Sequence, residues 1–505
     1  MESRSSAAPP LPEVSASLDQ AGRQLKRGAM FNTITLVAAN FRSVFTLLVA
    51  RLLGAAVLGV FSVAWSTTDL FSKIGSFGLD DTVTTFIARA EAVGDSARSR
   101  AVFRMAVVLG LTISVVTTVI LFVCVRLFGE RLGLQHEMVA PLALLLCAIP
   151  GLALYRISTA GSRGMKIMHH EFYSRGITDS LATTLAFVVV FLLGFKVFAP
   201  EIGAVAGSAA SGVVALVFAS RLFRNTPHEK ERISTPSEME RLVRYALPIS
   251  AYQFLNALIL RIDVIMLGWF INRAPGVTFT TVGIYGVTLG VANGLRRVNQ
   301  AFNPIFVPIM AEMTATGAQE RAAATYARLA QWMLWLLLPT LTVMILAGDC
   351  ILLLYGSVFR QGAGWLGIVA LACAVDAYVG LGESIIMVQH PRLNLANSAI
   401  ACVLAGAANL WLIPGFGVMG AAIGILIPYV VQGILRFLAL RFVFKWRTSW
   451  RNIAPPVVAT FIALLPALPA RALLDGIPAQ LVAAAIFLTI FGLSWAYRSR
   501  WPTTA

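Results

Sequence analysis

Nine charged side chains sit inside stretches that are otherwise apolar: the cations Arg42, Lys73, Arg261, Arg296 and Arg297, and the acids Asp69, Asp263, Asp376 and Glu383. Two kinds of chemistry suit them. Guanidinium forks match phosphate oxygens two at a time, so a cavity lined by the cations fits an anionic headgroup. Carboxyls in apolar surroundings suit the uptake and release of a proton or small cation, which makes the four acids candidates for coupling to H+ or Na+. Spacing groups them further. Ser62, Ser66, Asp69, Lys73 and Ser76 follow at intervals of 4, 3, 4 and 3, which places all five on one face of a helix. Asn293, Arg297, Gln300 and Asn303 repeat that arrangement, with Arg296 beside them.

Partners are less evident. Asp69 and Lys73 are four apart and could form a local salt bridge, whereas Arg296 and Arg297 have no acid within reach on their own helix, and Arg42 has none three or four residues away. Asp376 and Glu383, seven apart, share a face as isolated acids. Arg261 and Asp263 are two apart, hence about 200° around a helix, and cannot pair with each other. Asp263 shares its face with Tyr252 and Asn256 and is the cleft candidate of the two; Arg261 needs a partner on another helix or the substrate itself.

The elements that must position these groups follow from hydropathy. Of 505 residues 58% are hydrophobic and 13% charged, and the mean hydropathy is +0.78, values of a polytopic membrane protein. About fourteen transmembrane helices are expected, from 29–51 to 478–497, with the Pro-Gly at 414–415 dividing 394–413 from 417–440. The windows lack the alternation of a strand barrel, so the fold class is all-α. With a cytoplasmic N-terminus, the even-numbered gaps and both tails hold 27 of the 40 Lys and Arg, the odd-numbered gaps 7 and the spans 6, so both termini are placed in the cytoplasm. The net charge of +16 is then a topology signal and an attraction to the anionic lipid bilayer, and nucleic acid is not a partner. Cysteines 124, 147, 350, 373 and 402 lie in or at the ends of spans without metal spacing.

A repeat divides the chain. Shifted by 224 residues, 58–76 lies over 282–300, so that Gly59, Phe61, Asp69, Lys73 and Ser76 fall on Gly283, Tyr285, Asn293, Arg297 and Gln300. The expected domains are a disordered cytoplasmic tail (1–27, no cleavable signal), an N-lobe of six spans (28–223), a cytoplasmic linker (224–243), a C-lobe of six spans (244–441), and two appended spans with a short tail (442–505). Even span counts leave the lobes parallel about a pseudo-two-fold along the membrane normal, with a cleft between them.

Four segments, RLLGAAVLGVFSVAWSTTDLFSKIGSFGLDDTVTTFIA (51–88), RLVRYALPIS (241–250), RIDVIMLGWF (261–270) and VGIYGVTLGVANGLRRVNQAFNPIFVPIMAEM (282–313), resemble the Wzx-like polysaccharide or oligosaccharide flippases. That family lies in the superfamily holding lipid II flippases and multidrug and toxin extruders. The resemblance implies two six-helix bundles that carry a polyprenyl-pyrophosphate-linked saccharide across a bacterial inner membrane, beside a polysaccharide polymerase and export machinery. It implies that cations of the first, second and eighth spans, here Arg42, Lys73 and Arg296 or Arg297, hold the pyrophosphate, and that spans 13 and 14 shelter the lipid tail. The substrate-binding set is thus Arg42, Lys73, Arg261, Asn293, Arg296, Arg297 and Gln300. No cofactor, metal or catalytic residue is expected, since the loops carry no paired acids or glycine-rich phosphate motif. A cation-coupled multidrug extruder of the same fold is the alternative; five cations against four acids favour an anionic cargo.

Overall fold

The computed structural model describes residues 41–224, 235–315, 319–446, 450–473 and 476–499. Hydrocarbon offers the backbone no hydrogen-bond partner but itself, and the described residues contain helices and no strand. In chain order the main helices are α1 (Phe41–Ser76), α2 (Leu79–Ala92), α3 (Ser96–Phe128), α4 (His136–Leu146), α5 (Ile149–Gly164), α6 (Ser180–Leu192) and α7 (Ala199–Arg224). They continue with α8 (Thr235–Trp269), α9 (Phe279–Ala315), α10 (Gln319–Leu346), α11 (Ala363–Gln389), α12 (Pro391–Leu438), α13 (Trp450–Leu473) and α14 (Gly476–Ser499). Among the described residues, eleven helical segments are long and apolar enough to cross a membrane.

Two helices double back. Rings of Phe45 and Phe61 meet edge to face at 5.4 Å, although sixteen residues of unbroken helix would hold them about 24 Å apart. The reversal falls at Gly54, whose φ of 83° and ψ of 178° only glycine adopts readily. In α12 the reversal is at Gly417 (φ 58°, ψ −133°), not at the Pro414-Gly415 pair that the sequence points to. Helix continues through Pro414 and Gly415 until Gly417 supplies the backbone freedom for the turn, so that Asn409 then meets Gly424.

The side of the molecule bearing 93–95 and 165–168 is the arginine-rich end; that bearing 129–135 and 270–278 is the arginine-poor end. Small residues let helices approach where lipid supplies no hydrophobic drive. Gly203 and Gly207 of α7 lie on Thr183 and its neighbours in α6, and Gly212 faces Gly151 of α5. The appended pair attaches through α10, where Trp335 packs with Ala459, Ala463, Phe487 and Phe491.

The lobes meet on two seams. At the arginine-rich end α2 and α3 touch α8: Arg98 pairs with Glu238 at 2.8 Å, and Gln253 donates to Asp80 and Asp81, each at 2.9 Å. At the arginine-poor end Arg51 donates to the Leu354 carbonyl at 2.9 Å and Arg273 to that of Gly133 at 3.0 Å. The second seam continues inward as a helix crossing. A side chain at Gly59 would overlap Phe279 and Gly283, and one at Gly283 would overlap Ala55 and Gly59. These contacts are reciprocal under the 224-residue shift, because 59 and 55 become 283 and 279. Gly286 faces Ser62, its own repeat mate. A pseudo-two-fold axis therefore passes between α1 and α9, and the shift read from the sequence is the one that the packing obeys.

Introducing a branched side chain should pry this crossing apart. Gly283→Val is expected to increase labelling of a cysteine placed at Ser62 by a membrane-impermeant thiol reagent, relative to the same cysteine in the parent; equal labelling would reject the crossing as a seal.

Candidate functional site

Each charge in the spans is positioned by a helix and matched, or not, by groups from others. Asp69 on α1 does not pair with Lys73. Its Oδ1 accepts from Arg156 of α5 at 3.2 Å, and its Oδ2 accepts from Arg261 of α8, Nε at 3.1 Å and Nη2 at 3.0 Å. Arg156 also donates to Ser72 at 2.9 Å. One carboxylate thus joins an arginine of its own lobe to an arginine of the other. The partner that Arg261 requires is Asp69, across the cleft.

The acids of α11 are not isolated. Arg296 Nε lies 2.8 Å from Asp376, while its Nη1 donates to Asn293 and its Nη2 to the Tyr429 hydroxyl, both at 2.6 Å. Glu383 pairs with Arg436 at 2.8 Å and accepts from the Tyr252 hydroxyl and from Asn256 at 3.5 Å. Asn394 and Ser398 extend this network onto α12. Asp263, expected at the cleft, is fully buried inside the C-lobe and accepts from Tyr285 at 2.6 Å. Periodicity aligned it with Tyr252 and Asn256, but those two are held by Glu383, and the helix facing Asp263 is α9.

Lys73 and Arg297 remain. Both are half-buried, and neither makes an ion pair among the described residues. They are also repeat mates, 73 and 297, so each lobe carries one cation without an ion pair among the described residues on an equivalent helix. Gln300 is exposed, and the Arg42 side chain lies outside the described residues. Of the serines on the Asp69 face, Ser66 and Ser76 are buried, so only part of that polar stripe lines the cleft.

A cation that sequence reasoning missed joins the pair. Arg175 lies in a π-helical stretch, Phe172–Asp179, that leads into α6; it lies against Tyr155 and acts electrostatically on both Lys73 and Arg297. π-Helical turns recur at functional sites because they redirect side chains. Its signal was weak, since Arg175 stands outside the apolar window and reads as loop. Arg156, Arg261, Arg296 and Arg436 satisfy acids, and Arg175 has Glu171 and Asp179 near it, which leaves Lys73 and Arg297 as the cations with no ion pair among the described residues.

Stability should report this division. Arg436→Met leaves Glu383 without its guanidinium and is expected to cost about 3–5 kcal/mol. Replacing Glu383 by Met as well should recover most of the loss, read by unfolding of the purified protein in detergent. If the double variant is no more stable than Arg436→Met alone, the pair is not the unit described.

Comparison with known proteins agrees with this architecture. Residues 25–314, more than half of the chain, match the family described as polysaccharide biosynthesis protein. Stage V sporulation protein B of Bacillus subtilis (strain 168) is 22% identical over 438 residues, covering 81% of this chain and 83% of that protein. Lipid II flippase MurJ, in an inward closed conformation, is similar with a TM-score of 0.66 at 11% identity, covering 93% of this chain and 99% of that one. An inward-facing multidrug resistance MATE family transporter of the MOP superfamily also gives a TM-score of 0.66, at 14% identity, covering 83% and 98%. A helical fold shared with both transporters and a family match across the N-lobe, the seam and the α9 cations lead to one conclusion: this chain belongs to the polysaccharide biosynthesis protein family.

Proposed function

We propose that this protein is a flippase that moves a polyprenyl-pyrophosphate-linked oligosaccharide or polysaccharide repeat unit across the bacterial inner membrane, for cell-surface polysaccharide biosynthesis. The observation that carries the reading is the repeat-related pair Lys73 and Arg297. A diphosphate diester has two phosphoryl groups that each carry a negative charge, and two repeat-related cations facing a cleft from opposite lobes suit one group each. The family description and the lipid II flippase fold support the same cargo class. Both termini face the cytoplasm in this reading, and the polymerase and export machinery take up the product.

Coupling to an ion gradient would fall to Asp263. Asp69, Asp376 and Glu383 each hold a guanidinium, whereas the hydrogen bond to Asp263 comes from a tyrosine. In proteoliposomes, Asp263→Asn should remove dependence on a proton or sodium gradient and Asp376→Asn should retain it; the reverse result would transfer the role.

A multidrug extruder is the second reading, favoured by the equal TM-score of the MATE transporter. Complementation separates the two. Lys73→Ala and Arg297→Ala should each abolish glycan export by a strain lacking the gene, with normal amounts of protein in the membrane, while Lys73→Arg keeps it. Export unaffected by both alanines, together with efflux of a cationic dye, would favour the extruder.

A further inference from the structure

Asp69 is an expensive residue where it stands. It places a negative charge in a cleft whose other neighbours are Arg156, Arg261 and Lys73. The fold does not demand a charge at this position, because its repeat mate is Asn293, a neutral amide that accepts from Arg296 of its own helix. The N-lobe carboxylate differs in one respect: it reaches the opposite lobe. Arg261 engages it through two nitrogens on the same oxygen, and Arg261 has no other ion pair among the described residues. All three members keep some access to the cavity, with side-chain exposures of 20% for Asp69, 14% for Arg156 and 27% for Arg261. An ion pair with that much access can be competed for by another anion.

We infer that Asp69 holds the place of the cargo's phosphate in the empty carrier, and that Arg261 changes partner on loading, from Asp69 to a phosphoryl oxygen. This rests on the reading of the cleft as a site for an anionic cargo. Asp69 and Arg261 are the cross-cleft ion pair at the level of the cation cluster, one turn from Lys73. An entering phosphate that takes the Arg261 fork breaks that tie, leaves Asp69 on Arg156, and removes one of the bonds that hold the lobes in this relation. An empty carrier stays tied. Loading and lobe movement are then linked through one carboxylate, and a ligand shifts the lobes only as far as it displaces that group. Arg261 is on this account a cargo contact as well as a structural one.

The test uses the full chain in lipid nanodiscs, its native cysteines replaced, with spin labels at the exposed positions Leu132 and Thr278 on opposite lobes, and inorganic pyrophosphate as the probe against sulfate at equal ionic strength. In the parent, pyrophosphate should increase the population with the longer interlabel distance. Asp69→Asn should show that population without pyrophosphate, shifted on the order of tenfold, as removal of a tie of about 1.4 kcal/mol predicts, and should gain little when it is added. Asp69→Glu, which keeps the charge, should behave like the parent and shows that the label pair reports on a folded protein. If Asp69→Asn starts from the parent's distances and responds to pyrophosphate as the parent does, the exchange is overturned while the anionic-cargo reading stands. If Asp69→Asn is displaced but pyrophosphate moves neither protein, the cargo reading fails and the exchange with it.

Discussion

Hydrocarbon cannot hydrate a charge, and the ion pairs between the spanning helices answer to that. An arginine, lysine or aspartate at the centre of a spanning helix costs about 2.5–3.5 kcal/mol on insertion scales, so each must meet a counter-charge, water or cargo. The gross attraction of an ion pair at 3 Å is about 5 kcal/mol at an effective dielectric near 20, and desolvation removes several kcal/mol per ion. The pairs therefore contribute little net stability. Packing of helices through glycine and alanine holds the lobes together, and the pairs decide which helices may be neighbours: α11 against α9 through Asp376 and Arg296, and α11 against α12 through Glu383 and Arg436.

Charge satisfaction also sorts the residues by role. Within the spans Arg156, Arg261, Arg296 and Arg436 are engaged with acids, and for Arg156, Arg296 and Arg436 that engagement is architecture. Lys73 and Arg297 make no ion pair among the described residues, on helices that the repeat makes equivalent. Arg296 and Arg297, adjacent in sequence, separate along the same line, one held by Asp376, Asn293 and Tyr429 and the other without an ion pair among the described residues. A helix presents consecutive residues about 100° apart, so neighbours in sequence commonly serve different surroundings.

Much of this was legible in the sequence, and what was not has a common cause. Apolar length reveals a spanning helix because the bilayer imposes a length, and the 224-residue shift reveals the α1 and α9 crossing because both repeats keep glycine where backbones touch. Ion pairs between distant helices leave no such trace. Asp69 finds Arg261 at a separation of 192 residues, and no periodicity on either helix points to the other. Arg175 reads as loop because hydropathy falls off at a cation even where the helix continues into protein, and Arg436, inside the 417–440 window, gives no sign of its partner Glu383. Asp263 was placed on its correct face, but which neighbour occupies that face is decided by the fold. The break in α12 turned on backbone geometry: a proline-glycine pair marks a turn in the sequence, yet the left-handed conformation is held by the glycine two residues later.

The crossing of α1 and α9 has a mechanical side. Most packed helices interdigitate side chains, and turning one against the other forces those side chains through rotamer barriers. Here backbone lies on backbone at Gly59 and Gly283, with Ala55 and Phe279 contributing carbonyls. The lobes thus come closest where side chains are absent, and any residue larger than glycine at 59 or 283 would hold them apart.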